Sequence, residues 1–291
     1  MSENDGSGAA ALDELAVEQE RAQEPPEPRS LEWALVLGSS SGFGAATAAA
    51  LAERAGLNVC GIHLRRPANR ESYEQTRLRI EAAGRKYLPF QINAANADRR
   101  KEALDKMAEA MDGSGFRVVL HSLAFGTLKP YIAARPDDAI SQANMEMTLD
   151  VMAHSLVYWV QDCLSRGLIG RGTRIFAMSS SGAYRVVPNY GAVSAAKAAL
   201  EAHIRQLAYE LAPRGITANA INAGVTHTPA LHRIPGNGRM IEVANERNPS
   251  GRLTTPEDVA NLIALFALPG PGADWVTGNV INVDGGEDIS G

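Results

Sequence analysis

Between the first apolar run of the chain and its first stretch of helical spacing lies a glycine loop, Gly38-Ser39-Ser40-Ser41-Gly42-Phe43-Gly44. Glycines there let a strand turn sharply into a helix and let backbones approach closely. The run before it is Trp33–Leu37, and short apolar runs recur beyond it, at Asn58–Ile62, Tyr87–Ile92, Arg117–His121, Arg174–Met178, Ile216–Ile221 and Val280–Val283. Segments of helical spacing separate them, at Ala45–Ala55, Glu71–Ala83, Asp98–Met111, Pro136–Leu164, Ala192–Leu211 and Pro256–Phe266. Such alternation predicts an α/β fold, a doubly wound parallel sheet of about seven strands with helices on both faces. Residues 31–291 are expected to form one domain, with no room for a second.

Charge divides the chain unevenly. The total is −5, from 28 Lys and Arg against 33 Asp and Glu. Residues 1–30 hold eight acids and two bases, a sum of −6, so residues 31–291 carry about +1. With Pro25, Pro26 and Pro28 and few large apolar side chains, residues 1–30 are expected to be a mobile acidic tail. Ala9–Gln23 could form a transient helix there, and a docking arm is the functional alternative. No basic face favours nucleic acid. Two cysteines, Cys60 and Cys163, exclude a disulfide scaffold and a thiol-rich zinc site, and no metal is expected. No leader sequence or apolar stretch of about 18 residues is evident, which points to the cytoplasm and away from the membrane.

The loop-to-helix junction presents free N–H groups and a positive dipole end to a phosphate. Gly38, Ser40, Ser41, Gly42, Phe43 and Gly44 are therefore expected to cradle the pyrophosphate of a dinucleotide. The second strand runs into Ile62-His63-Leu64-Arg65-Arg66. An acid at that place would bind the ribose hydroxyl of NAD, whereas Arg65 and Arg66 suit the 2′-phosphate of NADPH.

The G-x-x-x-G-x-G spacing resembles that of the short-chain dehydrogenase/reductase family, whose fold is Rossmann-type. Further motifs fit over residues 31–291. Asn93-Ala94 stands where the family lines the adenine, and Ser122-Leu123-Ala124 follows the fourth strand. His121 is expected to face the interior rather than act as a base. Asn222-Ala223-Gly224-Val225-Thr226-His227-Thr228 follows the sixth strand, with Gly224, Thr226 and Thr228 implied near the nicotinamide and pyrophosphate. Asp284-Gly285-Gly286 matches the closing turn.

The lysine of the family's Tyr-x-x-x-Lys signature is Lys197, but the tyrosine, Tyr190, lies seven residues before it. Seven residues are two helical turns, an axial gap of about 10 Å against about 6 Å for the usual pair. Tyr-x6-Lys resembles the enoyl-acyl-carrier-protein reductase branch, as do Val187-Pro188-Asn189-Tyr190, His121-Ser122 and Asp150. The ordinary glycine motif is similar to that of its NADPH-dependent type III members. The resemblance implies hydride transfer to a trans-2-enoyl thioester carried on an acyl carrier protein, with Tyr190 serving the enolate oxygen and Lys197 the nicotinamide ribose. It also implies a homotetramer. Ser180 occupies the place of a second tyrosine in that branch and of the catalytic serine in carbonyl reducers. Tyr184 either supplies a substrate-side hydroxyl or is a surface loop residue. Ala230–Ser250 reads as a lid or as a helix packed on the body, with Leu231 and Met240 as acyl contacts. The alternatives are a carbonyl or hydroxysteroid-type reductase using Ser180, Tyr190 and Lys197, and a catalytically silent NADP-binding regulator.

Overall fold

The computed structural model describes residues 26–64 and 67–290. Seven strands form one parallel sheet: β1 (Ser30–Leu37), β2 (Asn58–His63), β3 (Tyr87–Gln91), β4 (Ser114–His121), β5 (Arg174–Ser179), β6 (Thr217–Ala223) and β7 (Val280–Val283). Their order is β3-β2-β1-β4-β5-β6-β7. The chain leaves β1 toward one edge and returns at β4 toward the other, so a crevice opens between the carboxyl ends of β1 and β4, where such sheets bind ligands.

Among the described residues eight α-helices cover the faces: α1 (Gly42–Ala55), α2 (Arg70–Ala82), α3 (Ala97–Met111), α4 (Gln142–Leu149), α5 (Ser155–Ser165), α6 (Gly191–Leu211), α7 (Asn237–Arg247) and α8 (Pro256–Ala267). Alternate strand residues point to opposite faces. Leu35, Leu37 and Val119 join side chains of α3, α5 and α6 in one core layer, while Ala34, Val36, Val118 and Leu120 meet α1 and α8 in the other. The buried alanines of α1, among them Ala48, Ala49 and Ala52, give it a thin face on which α8 can lie close. α8 starts on a reciprocal cap, in which Thr255 accepts from Asp258 N and the Asp258 carboxylate accepts from Thr255 N.

Three boundaries differ from the expectations. The helical segment expected from Pro136 begins at Gln142, where Ser141 caps it by accepting from Asn144 N, and Pro136–Asp138 is a separate 3₁₀ turn. Its middle, Asp150–His154, is a π turn that joins α4 to α5. The body also takes up chain before residue 31. Arg29 N donates to Gly113 O at 2.9 Å, and Glu27 accepts from Arg171 N at 3.0 Å, beside the N-terminal ends of the strands. The rest of the expected acidic tail, residues 1–25 with Ala9–Gln23, lies outside the described residues.

Candidate active site

The glycine cradle is shaped by backbone crowding. A methyl group on Gly44 would lie 2.2 Å from Gly38 O, and one on Gly38 would lie 2.4 Å from Ser122 O. Gly38 also has φ +97°, a left-handed conformation that side chains resist. At Gly42 the added methyl would meet only the Thr228 side chain, at 3.4 Å. Thr228 therefore sits over the cradle, buried, with its hydroxyl accepting from Leu231 N. Ser41 precedes α1 with no side-chain cap bond, and the first turn of α1 carries no acid. Its leading N–H groups remain available to an anion, with Phe43 half-buried beside them. Ser40 is buried and accepts from Asn69 at 3.3 Å.

β2 ends on His63 instead of an acid. Its ring packs on Tyr73 at 4.8 Å, and its Nδ1 is buried with no hydrogen-bond partner among the described residues. Burial lowers its pKa, so the ring is held neutral. Arg65 and Arg66, which follow, lie outside the described residues. Asn93 is exposed at the end of β3, and its carbonyl oxygen is taken by Ala95 N. Ala94 is buried, and Trp159 donates to its carbonyl. Ser122 and Leu123 lie against Gly38, and Ala124 is exposed beyond them. His121 is fully buried and donates or accepts through Nε2 with Ser155. Burial first, and then Lys197, push its pKa down to about 3, so it is neutral and serves as no base.

Across the crevice, Ser180 ends the run of β5 and Tyr190 stands immediately before α6. Asn189 has φ 62°, and this left-handed residue turns the chain so that Tyr190 caps the helix from outside it. A methyl group on Gly182 would lie 2.6 Å from the Tyr190 ring and 3.1 Å from Ser180 Oγ, so the two hydroxyl-bearing side chains flank one small residue. Burial raises the Tyr190 pKa, and the Ser180 hydroxyl acts in the other direction. Ser180 Oγ is itself buried and makes no well-formed hydrogen bond among the described residues.

Lys197 lies two turns into α6, buried, and donates to Met178 O. Burial pushes its pKa down to about 8, against the attraction of Glu201 one turn on. Four residues before Lys197, where the shorter signature would put its tyrosine, is Val193. It is buried, and Gly126 approaches so closely that an added methyl would be 2.8 Å from it. That turn is occupied by a buried aliphatic side chain.

The expected substrate residues Tyr184, Leu231 and Met240 differ in their surroundings. Tyr184 is 56% exposed, and its hydroxyl donates to Asp288 and accepts from Asn222. It is engaged with the C-terminal segment rather than open to a substrate, because Asp288 is a stronger acceptor than any neutral oxygen. Leu231 is buried in a 3₁₀ turn against the body, and Met240 is half-buried on α7. The expected lid loop is thus largely helix. Gly224 packs against Thr254 and Glu287, and the Thr226 hydroxyl donates to Gly224 O. The sequence reading missed Tyr131, whose ring lies over Gly191 beside Tyr190, and Asp288. Only the length of the irregular stretch after β4 hinted at the first. Among the described residues no three His, Cys, Asp or Glu side chains gather to hold a metal ion, and no helix is long and apolar enough to cross a membrane.

Comparison with known proteins fits this geometry. Residues 38–287 match the family described as Enoyl-(Acyl carrier protein) reductase. The chain is 34% identical to the NADH-dependent enoyl-[acyl-carrier-protein] reductase FabI of Aquifex aeolicus over 65% of its own length and 67% of that protein's. Other enoyl reductases are matched over as little as 57% of their length. It is 29% identical to an NADPH-dependent aldehyde reductase-like protein, chloroplastic, of Arabidopsis thaliana, over 90% of this chain and 96% of that one. The crystal structure of an NADH enoyl reductase from Aquifex aeolicus VF5 superimposes with a TM-score of 0.76 at 26% identity, over 90% and 98% of the two chains. With a cradle, a cap tyrosine and a buried lysine on a seven-stranded parallel sheet, the chain belongs to the short-chain dehydrogenase/reductase family, in its enoyl-(acyl carrier protein) reductase branch.

Proposed function

We propose that this chain is an NADPH-dependent reductase of trans-2-enoyl thioesters borne on an acyl carrier protein. The observation that carries the reading is the position of Tyr190, outside α6 and two turns from Lys197, with Val193 filling the nearer turn. The cradle residues fit a dinucleotide, because the uncapped start of α1 and the close glycines leave N–H groups open to a pyrophosphate. A nicotinamide dinucleotide held there would supply the hydride for C3 of the enoyl group, and the negative charge would develop on the thioester oxygen several bonds away. Tyr190 is placed to donate a hydrogen bond to that oxygen. Lys197 binds the nicotinamide ribose, and its charge favours the tyrosinate. The choice of NADPH rests on His63 in place of an acid at the end of β2 and on Arg65 and Arg66 after it in sequence.

The test is NADPH oxidation with crotonyl thioester beside a panel of ketones and aldehydes. Turnover of carbonyls alone would overturn the reading. Replacing Arg65 by Ala should raise KM for NADPH far more than KM for NADH, and equal effects would refute the cofactor choice. The working form is a homotetramer, which sedimentation would check.

A second reading has its own observation. Ser180 Oγ is buried beside Tyr190, where a carbonyl reductase requires its serine, and one relative over most of the chain bears the name of an aldehyde reductase. Tight NADPH binding without turnover of either substrate class would instead favour a silent regulator.

A further inference from the structure

The segment that joins β5 to α6 carries Ser180 at one end and Tyr190 at the other, and little supports its middle. Val186 is 98% exposed, and Asn189 is left-handed. Its first part is a compact unit, with Ala183 N donating to Ser180 O at 2.9 Å and Arg185 N to Ser181 O at 2.8 Å. That unit is tied to Asn222 of β6, which donates to the Tyr184 hydroxyl at 3.3 Å, and by three contacts to Asp288. The Tyr184 hydroxyl donates to Asp288 Oδ2, and the Arg185 guanidinium lies 2.8 Å from Asp288 Oδ1 and donates to the Asp288 carbonyl at 3.0 Å. The Tyr184 bond to the carboxylate is charge-assisted, and the Arg185 contact with Oδ1 is an ion pair.

Asp288 is fixed in turn. Its N–H donates to Asp284 Oδ2 at 2.9 Å, and Asp284 is buried. The same short stretch reaches the other walls of the crevice. Glu287 accepts from Val225 N at 2.9 Å at the root of the loop after β6, and Arg247 in the last turn of α7 donates to Ser290 O.

We propose that Asp288 is a positioning residue which, acting through Tyr184 and Arg185, fixes the turn that holds Ser180 and Tyr190 in register with Lys197. Asp288 touches no reacting group itself. Its kinetic consequence rests on the enoyl reductase reading, but its structural consequence does not. A proton donor displaced by about 1 Å loses up to about 100-fold in rate, so the clasp bears on turnover more than on ligand affinity.

The experiment uses the full chain with Asp288→Ala, Asp288→Glu and Tyr184→Phe. Amide hydrogen exchange is followed in the substrate-free protein, beside Tm, the Kd for NADPH, and kcat and KM. Asp288→Ala should speed exchange across residues 181–190 by about tenfold or more while strands β1 and β4 stay protected. It should lower kcat by about tenfold and leave the Kd for NADPH and the thioester KM within about twofold. Tyr184→Phe should give a smaller loss of the same kind, adding little to Asp288→Ala in the double variant. Asp288→Glu should recover much of the protection. Unchanged exchange in 181–190 would overturn the proposal. Loosening of the whole sheet with a matching fall in Tm would do the same, as would normal kcat despite faster exchange. If the wild-type protein reduces no thioester, the exchange and Asp288→Glu arms still decide whether Asp288 fixes the turn.

Discussion

At the cradle, a methyl group on Gly44 or Gly38 would strike backbone oxygen at 2.2 or 2.4 Å, and the atoms concerned belong to the adjoining loops of β1 and β4. At the catalytic turn, Tyr184 is tied to Asp288, 104 residues away in sequence, by side-chain polar atoms. One side of the crevice is fixed by close backbone packing, the other by long-range charge-assisted bonds. Backbone crowding allows one residue type at one spacing, whereas a clasp of side chains can be built from many sequences. The cofactor side is thus rigid by construction, and the substrate side can be retuned with little change to the fold.

Substitutions can break or sharpen this contrast. The largest effect is expected on the catalytic side, where Tyr190→Phe should lower kcat on crotonyl thioester by about 10³-fold and leave dinucleotide binding intact, measured by single-turnover kinetics and fluorescence titration. Next in size, Gly44→Ala should destabilise the protein by about 3 kcal/mol and impair dinucleotide binding, because backbone oxygen must move to admit the methyl group. Gly42→Ala, which meets only the Thr228 methyl but keeps a positive φ, should cost about 1 kcal/mol by denaturant unfolding. A cradle that tolerated Gly44→Ala better than Gly42→Ala would undo the steric half of the comparison.

The charge on Lys197 offers a finer probe. Burial holds its pKa at about 8, below the ordinary lysine value. Raising pH through that value removes the proton, and with it the positive charge that the proposed mechanism places at the nicotinamide ribose. In the free enzyme kcat/KM should therefore be fullest below about 8 and fall as pH rises past it, by up to about tenfold per unit. A profile flat to pH 10 would show that Lys197 does not act through its charge. The smallest effect is expected from Ser180→Ala, within about threefold in kcat on thioesters. A loss of about 100-fold would move the substrate toward carbonyls.

The legibility of the molecule followed the same division. All seven strands stood out as short, largely apolar runs, and the central ones, β1, β2, β4, β5 and β6, are buried over most of their length, as strands covered on both faces require. α7 did not, since Gly236, Asn237 and Gly238 at its start read as loop and its apolar residues are few. The π turn at Asp150–His154 shifts a helical period by a single residue over five, too little to show in a pattern. The offset of Tyr190 from Lys197 was plain from spacing, but the packing of Val193 beside Gly126 on the nearer turn needed the two elements side by side. Tyr184 could be read either way until Asp288 was seen to hold its hydroxyl.

Residues 26–29 lie along the N-terminal ends of the strands, and β1 then carries the chain eight residues to the cradle. At about 3.3 Å per residue that is roughly 26 Å, the full depth of the sheet. A surface, bead or reporter protein tethered through the backbone ahead of Pro26 is anchored at the back of the molecule and leaves the crevice facing outward. The back of the sheet is accordingly the end by which to mount this enzyme on an electrode or resin.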